Sequence, residues 1–180
     1  MYLLFGSHAE RGVHRVIASN VVIGLGNVLR GDDGIGPRAV AALARERLPN
    51  DVELIDGGNA GLTLLDWLEG RDTAIIIDAA SMNSVPGTVV RFDCDGVIDC
   101  NRAAVGVSHA PNAFAVLSLA EQLGTFQLPR ITIYGVEPES VEPSMSLTRT
   151  GEQALSEVVR RVRLELQVAD GSAVGVTGRP

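Results

Sequence analysis

The chain has 180 residues, 46% of them hydrophobic and 20 of them glycine, which suits one domain with a core large enough to fold without disulfide or metal staples. Fifteen Lys and Arg against 22 Asp and Glu leave a net charge of −7, and the one basic cluster, Arg160, Arg161 and Arg163, falls inside a helical pattern, which argues against a nucleic-acid partner. The opening "MYLLF" is five apolar residues with no positive charge before it, too short for a signal core or a membrane span, so a cytoplasmic protein without membrane contact is expected.

Residues 1–20 carry His8 and His14 in a weakly patterned stretch and read as an N-terminal extension to a domain over 21–168. "NVVIGLG" (20–26) reads as a buried strand, and "IGPRAVAALARERL" (35–48) as a helix with Asp32 or Asp33 near its N-cap and Pro37 in its first turn. "VELID" (52–56) alternates as a second strand, followed by the glycine-rich "GGNAG" and a short helix through "LTLLDWLEG" (62–70). "TAIIIDAA" (73–80) is apolar enough to be a central strand covered on both faces, whereas "GTVVRFD" (87–93), introduced by Pro86 and Gly87, suits a sheet edge. Residues 94–107 read as loop. They hold Cys94 and Cys100, whose spacing matches neither a CxxC redox pair nor a zinc site, so two ordinary reduced thiols are expected.

"PNAFAVLSLAEQLG" (111–124) is a helix with a glycine stop, and "RITIYGV" (130–136) a further strand. The last helix spaces Leu155, Val158, Val159, Val162 and Leu166 by threes and fours, and Thr150 with Gln153 makes a capping box at its start. Residues 169–180 read as a disordered tail. Strands alternating with helices predict a single α/β domain, with a twisted, mostly parallel central sheet and helices on both faces.

The turn in "VVIGLGNVLRGDDGIG" (21–36) opens like a dinucleotide loop, but the third glycine of GxGxxG is replaced by Leu29, and Asp32 and Asp33 follow. A helix N-terminus draws a pyrophosphate through its partial positive charge, and two carboxylates there oppose that anion; such a turn presents carboxylate to a cation instead. Helix capping accounts for one of the two aspartates and leaves the other surplus. Asp78 closes a central strand, at the end where open parallel sheets bind their ligands. His109 in "VSHAPNAF" precedes a helix and is a third candidate on the same rim, against the alternative of a cap or surface residue. Two carboxylates and an imidazole suit a borderline divalent cation such as Ni²⁺ or Zn²⁺. HExxH, GxSxG and GxxxxGK[ST] are all absent.

"GLGNVLRGDDGIG", "IDGGNAGLTLLDWLEG", "AIIIDAA", "SHAPNAFAVLSLAEQLG" and "ITIYGVEPESVEPSMSLT" occur in the order and spacing of the hydrogenase maturation proteases, which the chain resembles from about Val21 to Leu166. The resemblance implies an endopeptidase that removes the C-terminal extension from the precursor of a nickel-iron hydrogenase large subunit after nickel insertion. It implies Asp33, Asp78 and His109 as the catalytic and metal-contacting residues; of the aspartates on this rim, Asp33 is the choice for general base. The nickel is then supplied by the precursor, with no cofactor tightly bound in the free enzyme, although Zn²⁺ or Cd²⁺ can occupy the site in vitro. Asn27, Gly57, Gly58 and Asn59 are expected to contact substrate; many members carry Thr where this chain has Asn59. Two alternatives differ in class: a nickel-sensing or chaperone-like module that docks on the same precursor without cutting it, and a nucleotide-binding domain.

Overall fold

In the computed structural model, residues 18–94, 112–124 and 127–169 are described. The apolar run after Ser19 forms strand β1 (Asn20–Leu25), and the short 3₁₀ turn Gly31–Gly34 leads into helix α1 (Ile35–Leu43). Then come β2 (Val52–Gly58), α2 (Thr63–Leu68), β3 (Thr73–Ala79), β4 (Val89–Cys94), α3 (Asn112–Leu123), β5 (Arg130–Val136) and α4 (Arg149–Ala169). The strands form one sheet in the order β2-β1-β3-β5-β4. Every neighbouring pair is parallel except β4 and β5, so the proline-introduced strand does lie at an edge, antiparallel.

Period-two alternation distributes the central strands between two cores. Val21 and Ile23 of β1 and Ala74 and Ile76 of β3 pack with Leu64 and Leu68 of α2 and Leu117 of α3 on one face. Val22, Ile75 and Ile77 point the other way, against Ile35, Ala39 and Leu43 of α1 and Val158, Val162 and Leu166 of α4. Helices therefore cover both faces, which is why β1 and β3 read as continuous apolar runs. Helix α1 approaches the sheet very closely: a Cβ on Gly24 would lie 2.2 Å from the Gly36 carbonyl oxygen, and one on Gly36 would lie 2.2 Å from that of Leu25.

Three local expectations are corrected. Helix α1 stops at Leu43 rather than 48, because Arg45 and Glu46 donate to the carbonyls three residues back and Pro49 disfavours further helix. Its N-cap is Gly34 with no side-chain cap bond, so neither Asp32 nor Asp33 caps it. Helix α4 begins earlier than Thr150: Thr148 Oγ1 accepts from the Gly151 N–H at 2.9 Å, so Thr148 is the cap. Most of the extension over 1–20, the 94–107 stretch beyond Cys94, Cys100 and the tail from 170 lie outside the described residues. Among the described residues no helix is long and apolar enough to cross a membrane.

Candidate active site

The strand order places β1 beside β3, with β2 on one flank and β5 on the other, so the chain leaves β1 and β3 in opposite directions. The crevice beyond the carboxyl ends of such a strand pair is where open α/β sheets bind ligands. The 3₁₀ turn after β1 carries Asp33 to this crevice, and Asp78 arrives as the next-to-last residue of β3.

Between them lies Gly26, at φ +120°, where a Cβ would sit 1.8 Å from the Asp33 carbonyl oxygen and 3.9 Å from Asp78 Oδ1. Only glycine lets the turn close over both residues. Asp33 is held by its own turn, its Oδ2 accepting from the Asn27 N–H at 3.0 Å. Asp78 is 7% exposed, and its carboxyl is pushed up to about 7, first by burial and second by the charge of Asp33, against a hydrogen bond from the Ala79 N–H that favours the anion. Two carboxylates in electrostatic contact, one of them nearly dry, form a pair that a divalent cation or a shared proton would relieve.

The remaining candidates fall into three groups. Asn27 organises the turn, since its backbone N–H serves Asp33 and its Oδ1 accepts from the Leu29 N–H at 2.9 Å. Gly57 and Gly58 support the frame. Gly57 is wedged against Leu25, Ile23 and Trp67, where a Cβ would meet side-chain atoms at 2.8–3.0 Å, and the Gly58 carbonyl accepts from the Gly26 N–H at 3.0 Å. Asn59 follows them, exposed. His109 lies outside the described residues, among which no three Asp, Glu, His or Cys side chains gather into a metal cluster.

The family model of hydrogenase maturation proteases matches residues 37–164. This chain belongs to the hydrogenase maturation protease family. The hydrogenase 2 maturation protease of Escherichia coli K12 is 36% identical to it over 158 residues, 86% of this chain and 94% of that relative. The hydrogenase expression/formation protein HupD of Rhodobacter capsulatus is 32% identical over 161 residues, 86% of this chain and 76% of that one. The solved structure of the hydrogenase maturating endopeptidase HybD from E. coli aligns with a TM-score of 0.72 at 34% identity, covering 83% of this chain and 93% of that one. The chain is thus a peptidase of hydrogenase maturation, on the α/β fold that its residue pattern predicts.

Two buried acids of the protease carry more than sequence reasoning assigns them. Asp32 is 2% exposed and faces away from the Asp33 position into the segment after β5. Its Oδ1 accepts from the Thr148 N–H at 2.8 Å, while Oδ2 accepts from the Glu139 N–H at 2.9 Å, the Ser140 N–H at 3.4 Å and the Thr148 hydroxyl at 2.8 Å. Gly151 packs on it so tightly that a Cβ there would lie 2.2 Å from Oδ1. The doubled aspartate thus divides its labour: Asp32 clamps the scaffold, and Asp33 faces the crevice. Glu137, directly after β5, likewise binds the loop after β3, accepting from the Met82 N–H at 2.6 Å and the Ser84 N–H at 3.1 Å. The available signal was an acid ending an apolar run, the same one that marks Asp78.

Proposed function

We propose that the protease removes the C-terminal extension of a nickel-iron hydrogenase large-subunit precursor after nickel insertion, docking the precursor's nickel against Asp33, Asp78 and His109. The observation that carries this reading is the pairing of Asp33 with the nearly dry Asp78 at the switch point between β1 and β3. Such a pair lacks one positive charge, and a substrate that brings its own cation supplies it. His109 completes a mixed oxygen and nitrogen set, and the resting enzyme needs no metal of its own. Asn27, Gly57, Gly58 and Asn59, on the β1 and β2 side of the crevice, border the path of the substrate chain.

With nickel polarising the scissile carbonyl, water adds to the carbonyl carbon and loses a proton to an aspartate; the C–N bond then breaks as that proton passes to the departing amine. The Asp78 proton affinity near pH 7 belongs to the metal-free crevice; docked nickel drives both carboxyls to the anion, and Asp33, fixed by its Asn27 bond, takes the proton from water. The test compares nickel-loaded with nickel-free precursor, scored by product mass. Wild type should cut only the loaded form, and Asp33→Asn, which keeps an acceptor for the Asn27 N–H, should stay folded and cut at least ~100-fold more slowly. Equal cutting of both forms would sink the nickel requirement. Binding of loaded precursor without any product would favour the non-cutting module.

A further inference from the structure

Nine large apolar side chains are exposed among the described residues, and their distribution is uneven. Leu119, Leu164 and Val168 are scattered on helices, whereas Val28, Leu29, Leu62, Val85, Val141 and Met145 all lie in loops that follow the carboxyl ends of the parallel strands, on the same end of the sheet as Asp33 and Asp78. Four of these share one frame. The segments around Val28–Leu29 and Val141–Met145 run side by side, joined by the Ser144 N–H to the Leu29 carbonyl at 3.0 Å and by the Gly31 N–H to the Ser144 carbonyl at 3.0 Å. Arg30 Nε donates to the Val141 carbonyl at 3.2 Å, Arg38 donates to that of Met145, and the Asp32 carboxylate fastens Glu139, Ser140 and Thr148 just behind.

This is a braced ledge. Its polar backbone is spent internally while Leu29 and Met145 stand 56% and 77% exposed. A loop needed only to join elements would carry polar side chains there; apolar ones held on a fixed frame beside a catalytic crevice mark a docking surface. We propose that the ledge formed by Val28, Leu29, Val141 and Met145 binds an apolar segment of the protein substrate, and so contributes affinity for the folded precursor apart from its metal. The inference rests on the reading of the precursor as substrate. A peptidase whose reacting carboxylates lie at one end of the sheet must seat its polypeptide against that end, and the ledge starts one residue after Asn27, whose N–H holds Asp33. Glu139 and Glu142 border it, both exposed, and favour basic residues flanking the apolar segment.

The experiment measures steady-state cleavage and equilibrium binding of nickel-loaded large-subunit precursor with wild type, Leu29→Ser, Met145→Ser and the double variant. Both side chains are exposed, so melting temperatures should match wild type. The expected result is a rise in KM and Kd of tenfold or more in the double variant with kcat within twofold, and a smaller rise for Glu139→Lys with Glu142→Lys. Precursor cut with unchanged KM and Kd in the double serine variant overturns the ledge alone. Precursor bound but not cut, with affinity lost in that variant, keeps the ledge and overturns the cleavage reading. Precursor neither bound nor cut overturns both. A wild-type dimer that the two serines dissociate, with precursor affinity unchanged, would make the ledge a contact between copies of this chain instead.

Discussion

Replacing Asp78 with Asn should make the metal-free protein more stable and inactive. In the folded chain the Asp78 carboxyl is raised from 3.8 to about 7, chiefly because it is buried and secondarily because Asp33 is charged beside it. The native state therefore holds this proton more tightly than the unfolded state does. The contribution to stability is fully present below pH 4 and is lost as pH rises through 7, because folding above that pH must bury an anion. The folded and unfolded values differ by about three pH units, and at about 1.4 kcal/mol for each the native state loses ~4 kcal/mol across the window. Asparagine is neutral throughout, fits the same volume, and can still accept from the Ala79 N–H. Urea unfolding of wild type and variant in chelator, at intervals from pH 4.5 to 8.5, reads this group together with its coupling to Asp33, because more distant titrations cancel in the difference. The variant should gain little at pH 4.5 and on the order of 2–4 kcal/mol at pH 8, with cleavage abolished. A difference that is flat across this range, or a less stable variant at pH 8, would refute the raised proton affinity of Asp78.

Asp32→Asn should behave in the opposite sense. Both carboxylate oxygens accept hydrogen bonds, so an amide must turn an N–H₂ toward a backbone N–H at one of them, at a cost on the order of 2 kcal/mol in urea unfolding. An unchanged midpoint would show that the clamp is dispensable. Uptake of Zn²⁺ or Cd²⁺ at pH 6 should be weak, and in a His109→Ala variant, which has no imidazole proton to lose at the site, it should expel close to one proton, because Asp78 is largely protonated there. Calorimetry in two buffers of different ionisation enthalpy reads this number, and zero protons would remove Asp78 from the metal site. Serine at both Cys94 and Cys100 should leave precursor cleavage within a few-fold of wild type; a folded but dead double variant would assign those thiols a role.

Much of this architecture is legible from local pattern. The runs 20–25, 73–79 and 130–136 are apolar because each strand is covered on both faces, and the spacing within α4 follows from a single face packed on the sheet. Asp78 stands out for the same reason, as a charge ending a stretch that should contain none. What escapes the sequence is any role set by distant partners. Asp32 and Asp33 are chemically identical neighbours, and only contacts 107 to 116 residues away reveal that the first is structural. Thr148 escapes as a cap because Thr150 with Gln153 fits the motif better, while the tie to Asp32 that selects Thr148 is tertiary. Nor could pattern reveal the ledge, since exposed apolar residues in two separate loops carry no periodicity.

The Asp32 clamp also bears on when the enzyme can work. A ribosome that has made residues 20–79 has already delivered Asp33 and Asp78, yet the donors that hold the neighbouring Asp32 come from residues 139, 140 and 148, and β5 must slot between β3 and β4 before they arrive. Until then, burying the turn would leave a carboxylate without partners in an apolar setting, a penalty of several kcal/mol that keeps it open. The turn that carries Asp33 is therefore expected to set late in translation, and if Asp33 and Asp78 perform the cleavage as proposed, a chain that lacks the start of α4 should be unable to cut.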